Sequence, residues 1–160
     1  MDDLAKRILN DLNLEEIAPR TRKQSLVDHW SPAVLLERAA YLRKMAKYGN
    51  GSAVEAIKEY PHYAAVLSFQ SRTGDAEVHH GHTCLFHVLA GAATLTTGGT
   101  VNRPRTIEPG ELRGASIENG SSQELRQGDI AHVPAGVPHQ FLIAGDKSLT
   151  CLIVKIQEAK

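Results

Sequence analysis

GDIAHVPAGVPHQF, residues 128–141, ends a short apolar run in two prolines and a glycine and then places His139 directly beyond them. A surface turn has no need of a histidine there. The stretch reads as a strand from Gly128-Asp129, a tight turn at Pro134-Ala135-Gly136, and a second strand opening at His139. Such a reversal carries an imidazole into whatever space the two strands help to enclose.

The surroundings support that reading. From Pro61 onward short β-rich stretches follow one another, among them AAVLSFQ, AEVHHGH, LFHVLAG, AATLTTGG, HQFLIAG and LTCLIVKI, each closed by turn residues. Many short strands with close punctuation and no helical period between them argue for an antiparallel sandwich or barrel. The segment TVNRPRTIEPGELRG is the longest non-periodic connection and suits a loop over one mouth. Before Tyr60 the pattern is different. Apolar residues recur at helical spacing at Leu4, Ile8, Leu9 and Leu12, and again at Val34, Leu35, Ala39, Leu42 and Met45. Ser31 suits an N-cap, Pro32 the first helical position and Gly49 the far end, and a third short helix is expected over Ser52 to Glu59. The expected layout is α+β but mainly β: a helical extension over residues 1–60 and a β-barrel domain over 61–160.

Composition narrows the function. The chain has 160 residues, with 18 basic and 18 acidic side chains and no long block of one sign. A protein that neutralises many phosphates carries a basic excess, so nucleic acid is not an expected partner. The opening Met1-Asp2-Asp3 lacks the basic start of a secretory signal, and no apolar run approaches the roughly 18 residues of a membrane span. The expectation is a cytoplasmic protein without a membrane partner. Two cysteines, Cys84 and Cys151, define no disulfide framework. Eight histidines are the one oddity.

Those histidines cluster. In EVHHGHTCLFHVLAG, residues 77–91, positions two apart share a strand face, so His80 and His82 fall together and His79 opposes them. The register that turns His80 and His82 inward is preferred. The alternative turns Glu77 and His79 inward, and Gly81 keeps both open, because a bulge there changes which side chains converge. With His139, two separated segments offer imidazoles, the minimum for a mononuclear metal site with open positions. His132, Glu111 and Arg113 are further pocket candidates, although a solvated charge pair explains Glu111 and Arg113 equally well. Trp30 reads as a helix-packing anchor, and His29, His62 and His87 as surface or packing residues.

Gly128, Pro134, Gly136 and His139 stand in the order and spacing of the second sequence motif of the cupin superfamily, which this chain resembles over about residues 62–156. The first cupin motif is matched by Gly91 with Val88-Leu89 before it. Counting back from Gly91 places the family's metal-binding glutamate at Cys84 and its His-x-His nearer residues 77–80. Gly98-Gly99 and Gly110-Glu111-Leu112-Arg113-Gly114 further resemble a set of small single-domain cupins.

The resemblance implies a double-stranded β-helix, or jelly-roll barrel, behind N-terminal helices, and a homodimer. It also implies one divalent transition metal (Zn, Fe, Ni or Mn); with the preferred strand register the expected ligands are His80, His82 and His139, with His79 and Cys84 as alternates. The expected function is a metalloenzyme acting on a small organic molecule by dioxygenase or Lewis-acid isomerase or lyase chemistry. The competing readings are a small-ligand-binding or sensing barrel without turnover, and a metal-free isomerase with a histidine acid/base.

Overall fold

A computed structural model describes residues 27–159. Its one helix among the described residues, α1, runs Pro32–Ala46, and twelve strands follow. Ser31 caps α1, its Oγ accepting the Val34 N–H at 3.3 Å, and Pro32 fills the first position, where a missing N–H costs nothing. Leu35, Ala39, Leu42 and Ala46 make the buried stripe. They pack on Leu67 and Phe69 of β2 (Tyr63–Gln70), with Ala53 and Ile57 of β1 (Ser52–Glu59) beside them. The helix stops at Ala46, whose carbonyl accepts the Gly49 and Gly51 N–H groups; the left-handed residue is Gly51, at φ +86°, and not Gly49.

The helix expected over Ser52–Glu59 is a strand instead. SAVEAIKE alternates as well as it recurs every third or fourth residue, and β1 pairs antiparallel with β2 from Ser52↔Gln70 to Glu59↔Ala64. Ladder bonds and the face offered to α1 decide a segment whose local preference is undecided. The helix expected around Leu4 to Leu12 lies outside the described residues.

The main sheet runs β1, β2, β12 (Leu149–Gln157), β4 (His82–Thr97), β11 (His139–Leu142), β3 (Ala76–His79), β7 (Glu111–Gly114), β6 (Arg105–Glu108), with β9 (Ser121–Arg126) and β10 (Ile130–Val133) also paired to β4, and all its pairings are antiparallel. It curls into a half-barrel around Cys84, Phe86, Val88, Leu95, Leu149 and Cys151, the inner cluster. The stretch expected as a mouth loop, residues 100–114, is largely strand instead: β5 (Thr100–Asn102) pairs with β8 (Ser116–Glu118) in a small separate ribbon, and β6 and β7 join the main sheet, β7 by its ladder to β3.

Strand β4 (His82–Thr97) is the hinge of this arrangement. Its first half lies between β12 (Leu149–Gln157) and β10 (Ile130–Val133), and its second half between β9 (Ser121–Arg126) and β11 (His139–Leu142). The change of partners falls at Gly91, at φ +84°, where a Cβ would stand 1.9 Å from the Ser148 carbonyl oxygen. Only glycine serves at that corner.

The 134–138 turn is as its residues suggest. Gly136 is left-handed at φ +77°, the Val137 N–H reaches the Pro134 carbonyl at 3.2 Å, and the Gly136 N–H donates to the His79 carbonyl at 2.9 Å. The turn is thereby tied to the end of β3 (Ala76–His79), and His139 opens β11 directly opposite Glu77. The described residues contain no helix long and apolar enough to cross a membrane.

Candidate metal centre

Three adjacent strands build the site. On β3, Glu77 and His79 are two apart and share a face; His139 of β11 is registered against Glu77 from one side. On the other side β7 (Glu111–Gly114) sets Arg113 against Glu77 and Glu111 against His79. Cross-strand neighbours of this kind have side chains within reach of each other.

One ligand atom from each of Glu77, His79 and His139 lies within 4.8 Å of the other two. Glu77 Oε2 is 3.3 Å from His79 Nε2 and 3.8 Å from His139 Nε2. The imidazoles are tilted toward one another, with ring centres 5.1 Å apart. Both are buried, His79 at 5% exposure and His139 at 1%.

Their outer nitrogens are held. His79 Nδ1 is hydrogen-bonded to the Glu111 carboxylate, and His139 Nδ1 donates to the Val137 carbonyl at 3.3 Å. A proton at Nδ1 leaves the Nε2 lone pair facing inward, the tautomer that a metal ligand needs. His139 Nε2 is buried with no hydrogen-bond partner among the described residues. A buried acceptor without a partner, beside a carboxylate and a second imidazole, suits a ligand of a cation. The donor set fits a divalent transition metal.

Burial lowers the His139 pKa to about 4, helped by the neighbouring His79 and opposed by the bond to Val137. Burial also lowers that of His79, against the pull of Glu111. Both imidazoles are therefore neutral at physiological pH. Glu77 is paired on its far side with Arg113, whose own pKa burial lowers. Phe86 stands behind His139 with ring centres 5.7 Å apart and meets Phe141 edge-on.

No family model and no curated protein sequence matches the chain. Solved structures do. TT1209 from Thermus thermophilus is similar at 17% identity and a TM-score of 0.52, over 74% of this chain and 95% of that one. A structure of FeII HppE is similar at 17% identity and a TM-score of 0.51, over 66% of this chain and 51% of that one. A cupin superfamily protein, DSY2733 of Desulfitobacterium hafniense DCB-2, is similar at 16% identity and a TM-score of 0.48, over 69% of this chain and 81% of that one. The likeness to TT1209 and HppE is one of fold, the curled antiparallel half-barrel of cupins.

In this half-barrel the structure draws together a different set from the preferred His80, His82 and His139. His139 is at the site as expected, and His79, the alternate, joins it. His80 is exposed, in the turn that leads from β3 into β4. His82 opens β4 and lies half-exposed, its Nδ1 4.0 Å from Glu111 Oε1. The physical cause is the turn at His80-Gly81: parity counted along one strand does not carry across a change of strand.

Cys84, at the place of the family's glutamate, lines the cavity beside His79 but is not in the ligand group. Burial pushes its thiol up to about 11. Glu111 and Arg113 do reach the site, as partners of His79 and Glu77. His132 is exposed on β10 and does not. Glu77 was legible as a member of the alternative register; that it meets His139 became visible only from the β3–β11 pairing.

Proposed function

We propose that this cupin holds one divalent transition metal ion through Glu77, His79 and His139, and that it is a metalloenzyme acting on a small organic molecule. The observation that carries the reading is the convergence of the orphaned His139 Nε2 with His79 Nε2 and Glu77 Oε2, each imidazole steadied from behind by an acceptor. Two histidines and one carboxylate with open positions are a ligand set common to non-haem Fe(II) oxygenases and to catalytic zinc sites. When bound, iron supplies oxygen chemistry, whereas zinc, nickel or manganese polarises a carbonyl or activates water.

The chain's own residues have definite parts in this. Glu111 holds His79 in the ligating tautomer, and Val137 does the same for His139. Arg113 fixes one Glu77 oxygen and leaves the other turned to the imidazoles. Phe86, Phe141 and Ile153 keep the wall apolar and exclude water.

Elemental analysis of protein purified without an affinity tag tests the reading. Near one equivalent of a single transition metal per chain is expected, and iron directs assays to oxygen consumption. No metal, and none taken up on reconstitution, sinks the proposal. A second reading, a ligand-binding barrel without turnover, is favoured by Cys84, whose protonated thiol supplies no carboxylate donor where the family has one. Full metal occupancy without turnover of any small acid, ketone or phenol tried would favour it.

A further inference from the structure

A cavity of about 330 Å³ adjoins the candidate metal centre. Its wall holds Glu77 and His79, the apolar Val54, Val66, Phe86 and Ile153, and the cations Arg113 and Lys155. By volume it admits roughly ten groups the size of a water molecule. Val54 is 69% exposed although it faces this space, so an apolar side chain stands open at the rim.

The charges do not cancel. Glu77 and Arg113 are paired with each other across β3 and β7. Lys155, on β12 beside Cys84 of β4, has no ion pair among the described residues. It lines the same cavity as Glu77, His79, Cys84 and Arg113. Lys155 is half-buried. An anion brought against it gains a charge-assisted partner in a partly apolar space, and a divalent ion at Glu77 adds positive charge to the same space.

We infer that the cavity takes a small organic carboxylate: the carboxylate group on Lys155, the hydrocarbon body against Val54, Val66, Phe86 and Ile153, and the far end toward Glu77, His79 and His139. This deepens the metalloenzyme reading and rests on it for the fate of the far end. Lys155 is the specificity-determining residue. A neutral ligand of the same shape leaves it unpaired.

The test is calorimetric titration of the full chain, with its metal content measured in the same preparation, using butanoate, hexanoate and benzoate, each against its carboxamide. At least one acid binds about tenfold tighter than its amide, the worth of one charge-assisted hydrogen bond. Lys155→Met abolishes that preference, and Lys155→Arg retains it, with metal content and the circular dichroism spectrum unchanged in both. Lys155→Gln repeats the measurement if the methionine variant does not fold. Acids and amides that bind alike, no binding of any acid, or an acid preference that survives in Lys155→Met would each overturn the inference. A metal-free preparation instead sinks the metalloenzyme reading, and the acid-over-amide comparison is still read on it.

Discussion

His139 is the residue on which most turns. Its imidazole is buried, its Nδ1 is spoken for by Val137, and its Nε2 has only Glu77 and His79 to face. His139→Ala is expected to remove most of the bound metal, while His62→Ala, at an exposed position, leaves it in place; elemental analysis of both reads the result. Glu111→Gln keeps the shape but weakens the hold on His79, and metal affinity measured against a competing chelator is expected to fall roughly 10- to 100-fold.

The same residue sets a pH dependence in the metal-free protein. Its pKa is about 4 folded against an ordinary 6.5, so the unfolded chain binds the proton first as pH falls. The associated stability is fully present above pH 6.5 and is lost as pH drops toward 4. The loss is about 3 kcal/mol, from the size of that shift. Urea midpoints measured between those limits should fall in the native chain and stay flatter in His139→Phe.

At the scale of elements, the two glycines of the site region do different work. Gly91 turns β4 from one set of partners to the other, and a methyl there meets the Ser148 carbonyl. Gly136 closes the turn before β11 in the same left-handed region but with open space around it, the nearest atom being His80 Nδ1 at 3.9 Å. Gly136→Ala is therefore expected to cost about 1 kcal/mol, the backbone strain alone. Gly91→Ala adds a backbone clash and is expected to cost well over about 2 kcal/mol in urea unfolding. Equal costs at the two positions would show that the β4 corner relaxes freely. The β3–β4 turn belongs to this scale too. Two residues, His80 and Gly81, separate strands with different partners, which is why one histidine cluster splits between the site, the surface and the mouth.

For the molecule as a whole, two apolar clusters divide the labour. One fills the half-barrel around Phe86 and Leu95; the other lies under α1, where Leu42 and Ala39 meet Leu67 and Phe69. The metal centre borders the first through Phe86, whereas Leu42 packs in the second, under α1. Leu42→Ala should therefore lower stability by about 2–4 kcal/mol and leave metal content unchanged, with urea unfolding and elemental analysis as paired readouts. Loss of metal along with stability would mean that the helix cluster holds the site in shape.

The barrel could be read from the chain because its signals are local. Short alternating runs, turn residues at fixed offsets and the Pro134-Ala135-Gly136 reversal act over a few residues, and His139 follows from them. The N-cap at Ser31 was legible for the same reason. Three things were not local. Ser52–Glu59 takes its conformation from β2 and α1, against an undecided preference of its own. Glu77 becomes a ligand candidate only because β11 pairs with β3, and Glu111 and Arg113 gain roles only because β7 lies on the other side. Strand neighbours far apart in the chain decide which side chains converge, and a side-chain period of two makes that choice depend on every turn between them.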